Sequence, residues 1–397
     1  MAVYVSFLMC LGTIYAFSTW SDAFVRGPFP TWTRNDVSFV YSMGIFGAFA
    51  TPVGGVLYDR FGATPTFWIG WLMAATGIVG LLIVTQPGLV PPAIAPYLVG
   101  LLYFVEEQGS SSLYMGICLD ALVHFPAANT SFSLGLIAFG YSLSSVAAAF
   151  VVARFEPSIY GFLVFLGVAF TVFSFIRIFV LGDVESSGWE NVESKKDSSL
   201  GALATKPFFK LAAFALGCLV PCTALIGVLK GLGDSRGIDG NFLAQVALIA
   251  NCMGRLAIGF SYDQFRVIPS EVALLIAATG LAFGFCMLLT SMSPTLTPLI
   301  LTWLGVLLVS FMYGGIAPLS GAYVKDHFPS NAAGTAMGLF HLLVAIGNML
   351  WTVYFPVNTP GDWTRSFMTA SAVCTVLVLS CITDHFMLNA PNQKEKA

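Results

Sequence analysis

The chain alternates long apolar runs with short polar breaks. An α-helix needs about 20 apolar residues to cross the hydrocarbon of a bilayer. Twelve such runs can be laid along the sequence, at about 2–22, 37–57, 66–86, 94–118, 131–152, 159–181, 207–229, 241–262, 271–291, 296–322, 332–354 and 365–388. The breaks are polar or proline-rich: Arg26 to Asp36, Asp59 to Pro65, Gln86 to Pro92, Leu119 to Asn129 and Arg154 to Pro157. The longest, Gly182 to Lys206, holds Asp183, Glu185, Glu190, Glu193, Lys195, Lys196 and Asp197 and separates two blocks of six runs. The pattern predicts an all-α membrane protein with twelve transmembrane helices in two pseudo-symmetric six-helix bundles. Their boundaries are 1–181 and 207–388, with a cytosolic linker at 182–206 and a cytosolic tail at 389–397.

Composition narrows the class. Charged residues are 9% of the 397 and hydrophobic residues 57%, against roughly 25% charged in a soluble domain. That excludes a disordered chain, a collagen and a small disulfide scaffold, and argues against a soluble enzyme. The net charge of −3 offers no basic footprint for nucleic acid. The eight cysteines lie in apolar stretches; Cys218 and Cys222 share a face, but no His or second Cys pair is near them. No metal is therefore expected. No Gly-x-x-x-x-Gly-Lys-Ser/Thr occurs, so no nucleotide cofactor is expected and the energy source would be a gradient. The first run lacks a basic leader and is expected to remain as a helix.

Lys and Arg bias orients the spans. With the N-terminus inside, inner loops and helix ends hold Arg60, Arg177, Lys195, Lys196, Lys206, Lys210, Arg266, Lys325, Lys394 and Lys396. The outer ones hold Arg26, Arg34, Arg154, Lys230, Arg236 and Arg365. Both termini are expected in the cytosol, and the sequon at Asn129 would then go unglycosylated.

The two blocks repeat each other. Tyr58-Asp59-Arg60-Phe61 returns as Tyr262-Asp263-Gln264-Phe265 at an offset of 204, while His124-Phe125-Pro126 returns as His327-Phe328-Pro329 and Gly135-Leu136 as Gly338-Leu339 at 203. Six helices restore the direction of the chain, so both copies keep the same side of the membrane. A parallel duplication of this kind points to a rocking transporter with a site between its halves.

Gly54-Gly55-Val56-Leu57-Tyr58-Asp59-Arg60-Phe61-Gly62 resembles the signature between helices 2 and 3 of the major facilitator superfamily, Gly-x-Leu-x-Asp-Arg-x-Gly followed by two basic residues. Gly55, Leu57, Asp59, Arg60 and Gly62 match; Ala63 and Thr64 stand where the basic pair is usual. The copy Gly254-Arg255-Leu256-Ala257-Ile258-Gly259, ending at Asp263, is similar. Leu11 to Ser18 resembles the start of the oxalate/formate antiporter and nodulin-like branches, relatives of the monocarboxylate transporters, and Gln108 to Ser112 is similar to the nodulin-like pattern. The resemblance implies the major facilitator fold across the whole chain. It also implies gating contacts. Gly55 would let its helix pack closely, Asp59 would face the positive start of the eleventh helix near Ser330 and Asn331, and Asp263 the start of the fifth near Thr130 and Ser131.

Charges at membrane depth are functional candidates because they are costly unless paired. Arg255 lies eight residues before Asp263, about 12 Å inside its helix. In the monocarboxylate and oxalate/formate relatives an arginine of the eighth helix meets the substrate carboxylate, and Arg255 matches it. Those monocarboxylate relatives also carry an aspartate four residues earlier, where this chain has Asn251. The alternative for Arg255 is a structural pair with a neighbouring helix. Glu106 and Glu107 fall near midplane; adjacent residues point about 100° apart, so at most one faces a cavity squarely. One of them would carry a proton or bind an ammonium, or both are structural acids beside Ser110 to Ser112. His341 and Asn348, two turns apart, are further candidates, and Val344 stands where oxalate/formate relatives have lysine. Tyr15, Ser18, Thr19 and Asp22 form one helical stripe. Thr223, Tyr313 and Pro318 are expected to line a cavity, and Pro221 and Pro318 to provide kinks.

The expected function is a secondary active transporter of a small organic solute, most readily a monocarboxylate-type anion, working as a monomer by alternating access with protons as a coupling ion. An amino-acid transporter on the same fold is the alternative. A non-transporting receptor or sensor is the alternative of another class. No catalytic residue is expected.

Overall fold

Apolar side chains cover the outsides of the helices in the computed structural model, as a lipid solvent requires. The structure describes residues 2–12, 24–25, 27–86, 88–124, 129–155, 159–181, 205–265, 268–292, 298–354 and 360–394. Most of the expected linker and the stripe of Tyr15, Ser18, Thr19 and Asp22 lie outside them. Regular structure among the described residues is helical. Among the described residues eight helical segments are long and apolar enough to cross a membrane; the count of twelve crossings is an expectation from the sequence.

The chain divides into two units, Met1–Thr205 with Val324–Ala345, and Lys206–Tyr323 with Ile346–Ala397. The first unit contains α1 (Ala2–Leu11), α2 (Arg34–Phe49), α3 (Pro52–Phe61), α4 (Ala63–Val84), α5 (Ala95–His124), α6 (Thr130–Phe155) and α7 (Ile159–Phe175). A π-helical stretch, Ile176–Leu181, continues α7. The second contains α8 (Lys206–Phe214), α9 (Val220–Ser235), α10 (Gly240–Gln264) and α11 (Ser270–Ser291). It also holds most of α12 (Pro298–His327), the end of α13 (Ser330–Tyr354) and α14 (Pro360–Lys394).

α4 shows how an apolar helix sorts its faces. Leu72, Val79 and Ile83 form an exposed stripe, while Phe67, Ala74, Ile78 and Leu81 on the opposite face are buried. Exposed aliphatic stripes of this length are at home in lipid and costly in water. The buried face meets α5 through small residues: a Cβ on Gly77 would come 2.6 Å from the Glu106 Cβ. Without a hydrophobic drive between helices in lipid, such close backbone approach supplies the packing.

Two spans depart from the sequence expectation. The run at 37–57 is not one helix, because α2 ends at Phe49 and α3 restarts at Pro52. Proline at the first position of a new helix gives up only an N–H that has no helical partner there. The buried hydroxyl of Thr51 in this break donates to the Gly338 carbonyl at 3.1 Å. The break expected from Leu119 begins later: α5 continues to His124, and Asp120 is a buried helical residue. A capping box starts α2, with Asp36 accepting the Thr33 N–H and hydroxyl, both at 2.7 Å. Those bonds, the backbone one first, hold the Asp36 carboxyl below its ordinary pKa.

Pro221 sits one residue inside α9, and the turn before it, Ala215–Leu219, is π-helical. Proline has no N–H for the carbonyl four residues back, that of Gly217, and its ring crowds that turn. The Val220 N–H bonds instead to the Ala215 carbonyl, five residues back. The buried Cys374 thiol of α14 donates to the Gly217 carbonyl at 3.2 Å. A double-mutant cycle tests this account. Cys374→Ala is expected to cost about 1 kcal/mol of stability beside Pro221 and little when Pro221→Ala restores the regular helix. Denaturation in mixed micelles measures both.

Candidate functional site

The signature segment ends in a three-donor contact. Asp59, in the last turn of α3, accepts the Gly334 N–H on Oδ1 at 2.9 Å, and the Thr335 N–H and hydroxyl on Oδ2 at 2.6 Å each. The donors belong to the second turn of α13, close to the end that carries partial positive charge. Missing side chains make the approach possible. A Cβ on Gly55 would overlap the Gly334 carbonyl, and one on Gly334 would come 2.6 Å from the Gly55 carbonyl and 2.7 Å from Asp59 Oδ1. Gly62 closes α3 at φ +81°, the region where a side chain is strained. Arg60 is exposed.

Lys325 makes the opposite electrostatic choice. From the last turn of α12 its ammonium donates to the Leu122 carbonyl at 3.2 Å and to the Thr130 hydroxyl at 3.0 Å. Leu122 lies in the last turn of α5, where partial negative charge gathers. An acid at a helix start and a base at a helix end thus fasten Val324–Ala345 to the rest of the first unit. Sequence reading counted Lys325 only as an inner-loop charge.

A buried charge cluster lies beside this contact and was missed in the sequence. Asp120 Oδ2 accepts from Tyr4 at 2.8 Å and from Arg177 Nε at 2.6 Å, with Arg177 Nη2 at 2.5 Å. Its Oδ1 accepts from Tyr58 at 3.2 Å. The guanidinium also lies 5.0 Å from the Phe67 ring centroid. α1, α3, α5 and the π-helical turn after α7 therefore meet at one carboxylate, and α4 joins them through Phe67 against the guanidinium. Arg177, taken as an inner-end charge, is buried at 1% exposure. The partners are 57 to 116 residues apart, so no local spacing announces them.

Arg255 lies in α10 with 5% exposure. Its Nε donates to Asn251 Oδ1 at 3.0 Å, and the Asn251 amide donates to the Ser310 carbonyl of α12 at 3.3 Å. Glycines bring α10 and α12 together here as well: a Cβ on Gly254 would overlap the Phe311 carbonyl, and one on Gly314 the Asn251 carbonyl. Gly259 and Asp263, further along α10, are buried.

Glu106 and Glu107 are both buried, on different seams of the first unit. Glu106 lies against Gly77 of α4 and accepts from Ser110 at 3.4 Å. Glu107 lies against Gly47 of α2 and beside Tyr103. The 100° between adjacent residues separates them between two neighbours. His341 is half-buried in α13, its ring 6.4 Å from Tyr114 of α5, which is 4.8 Å from Tyr141 of α6; Phe340 is 5.3 Å away. These tyrosines were also missed, since nothing in one sequence pairs α5 with α13. Asn348 is half-buried in the part of α13 that belongs to the second unit. Thr223 turns back on its own helix, bonding the Leu219 and Val220 carbonyls at 3.0 and 2.9 Å. Tyr313 is buried and Pro318 lies within α12. Among the described residues no group of three His, Cys, Asp or Glu is placed to hold a metal ion.

Glycine-packed apolar helices, a carboxylate fastened to a helix start and a deep arginine define a multi-pass membrane carrier. The Major Facilitator Superfamily model matches residues 1–352, and the chain belongs to that family. It is a secondary transporter of that type. Among curated proteins it is 24% identical over 325 residues to the sialic acid transporter NanX of Escherichia coli K12, covering 77% of this chain and 75% of that one. It is likewise 24% identical over 357 residues to monocarboxylate transporter 13 of Rattus norvegicus, covering 85% and 77%. Among solved structures the proton:xylose symporter XylE superposes with a TM-score of 0.72 at 14% identity, over 95% of this chain and 93% of that one. A bacterial homologue of the iron transporter ferroportin, in an outward-facing state, gives 0.72 at 13%, over 96% and 98%. At such identities these two show the fold alone.

The Asp120 cluster yields a stability prediction. Asp120→Leu strands a buried arginine and is expected to cost about 3–5 kcal/mol, whereas Asp120→Leu with Arg177→Leu recovers most of the loss. Thermal unfolding of the detergent-purified protein gives the comparison.

Proposed function

We propose that this transporter carries a small organic anion of the monocarboxylate type by alternating access, with Arg255 as the carboxylate-binding group. The observation that carries the reading is a guanidinium at 5% exposure, deep in α10, whose Nε is held by an uncharged amide. A permanently charged planar fork at this depth suits a carboxylate. The two curated relatives, named for sialic acid and for monocarboxylates, both handle acids, which supports the same class.

The Asp59 and Lys325 contacts hold one state of the cycle in this reading and break in the other. Each joins a charge to a helix end of opposite polarity and needs no partner charge that must be stripped of water. The Glu106–Glu107 pair, dry and adjacent, is the proposed carrier of a coupled proton. Each carboxyl belongs to the first unit, where a proton can be gained or lost as its seam opens.

Uptake of labelled lactate, pyruvate and formate into proteoliposomes, with an amino-acid panel beside them, tests the reading. Wild type is expected to take up a monocarboxylate, faster with an inward proton gradient, and Arg255→Ala to lose at least about tenfold, the scale of one charge-assisted contact. Glu106→Gln or Glu107→Gln is expected to abolish the gradient's effect. Normal carboxylate uptake by Arg255→Ala would make the arginine structural, and flux of amino acids alone would replace the substrate class.

A further inference from the structure

We propose that Thr51 is a positioning residue of the gate: its hydroxyl ties the break between α2 and α3 to α13, as a second rung beside the Asp59 contact. The proposal rests on the reading of the Asp59 contact as one that opens and closes, and adds how far along α3 the closure reaches.

Helical threonines ordinarily spend their hydroxyl on their own helix. Thr66, Thr76, Thr171, Thr279 and Thr290 each donate to the carbonyl four residues back, at 2.7 to 2.9 Å. Thr51 departs from that habit. Its hydroxyl donates to the Gly338 carbonyl of α13 at 3.1 Å, a partner 287 residues away. Nor does it cap the helix it precedes. A capping threonine turns its oxygen to the new helix from an extended backbone. Thr51 has a helical backbone, at φ −68° and ψ −9°, and makes no cap bond.

The break explains the departure. The chain leaves α2 at Ala50, where ψ is 45°, and this takes Thr51 out of line with the Gly47 carbonyl four residues back. The Ser111 hydroxyl of α5 meets that carbonyl instead at 3.3 Å, shared with the Gln108 carbonyl at 3.0 Å. Pro52 then starts α3 without an N–H of its own. A missing side chain brings the two helices into bonding range, since a Cβ on Gly338 would come 2.6 Å from the Pro52 Cα. Thr51 is 2% exposed, and the crossing to α13 satisfies its hydroxyl in a buried place.

The two rungs lie at different depths. Eight residues separate Thr51 from Asp59, about 12 Å of helix, and Gly55 presses on Gly334 between them. The seam between α3 and α13 therefore carries a charged rung at the helix end, a bare glycine contact, and a neutral rung deeper in. One net hydrogen bond shifts an equilibrium about fivefold, which biases the seam toward closure and still lets it open.

Spin labels carried on unnatural residues at Phe61 and Asn331, exposed positions at the end of α3 and the start of α13, test this in lipid nanodiscs. The readout is the ratio of long to short label distances. Thr51→Val keeps the shape and removes the hydroxyl, whereas Thr51→Ser keeps the hydroxyl and removes the methyl. Thr51→Val is expected to raise the ratio about fivefold and Thr51→Ser to stay within about twofold of wild type. Asp59→Ala is expected to raise it at least as far as Thr51→Val. A rise with Thr51→Ser that equals or exceeds that of Thr51→Val would make Thr51 a packing residue and overturn the proposal. Wild-type behaviour of Thr51→Val beside a rise with Asp59→Ala would remove the rung and leave the Asp59 gate standing. A single short distance in every variant, Asp59→Ala included, would end the gating reading and the rung with it.

Discussion

Hydrocarbon offers no hydrogen bonds, and that single constraint shapes the molecule. Every backbone N–H and C=O within the bilayer must be satisfied by the chain itself, so the described regular structure is helical. At Pro221, where proline removes a donor, the Cys374 thiol is found at the Gly217 carbonyl. Several buried polar side chains reach a partner on another helix. Asp120 gathers two tyrosines and an arginine, and Asn251 joins an arginine to a neighbouring carbonyl.

The same constraint makes glycine the packing residue. Helices in lipid are drawn together by contact rather than by expulsion of water, and contact is closest where no Cβ intervenes. Gly55 with Gly334, and Gly254 with Gly314, bring backbones within reach of polar groups that would otherwise be too far apart. Asp59 meets α13, and Asn251 meets α12, at such crossings. Close packing and polar chemistry therefore share the same residues in both units. A bulkier residue at Gly55 or Gly254 would remove the contact and the chemistry together.

Much of this was legible in the sequence because it is local. The hydrophobic runs place most of the helices, and Pro221 was read as an irregularity, whereas the break before Pro52 was not. The Gly55-to-Gly62 segment points to Asp59, and the four-residue spacing of Asn251 and Arg255 puts them on one face of one helix. What was not legible is long-range. Tyr4, Tyr58, Asp120 and Arg177 meet only after four helices pack, and Asp120 was read as part of a loop because charge usually ends a membrane helix. Lys325 looked like one more inner-loop cation until it reached the end of α5. Glu106 and Glu107 could be placed at depth, but which helix each one faces depends on the crossing of α5 with α2 and α4.

The central claim is that Arg255 recognises an ionised carboxylate, and ligand-induced stabilisation tests it without any need for flux. A ligand that binds the folded state raises stability by RT ln(1 + [L]/Kd). Lactate and lactamide differ chiefly in charge, so the melting temperature of the purified protein in each, at pH 7, isolates the contribution of that charge. The account predicts a concentration-dependent rise with lactate, little with lactamide, and neither in Arg255→Ala. Equal rises with lactate and lactamide, or a lactate effect that survives Arg255→Ala, would contradict it.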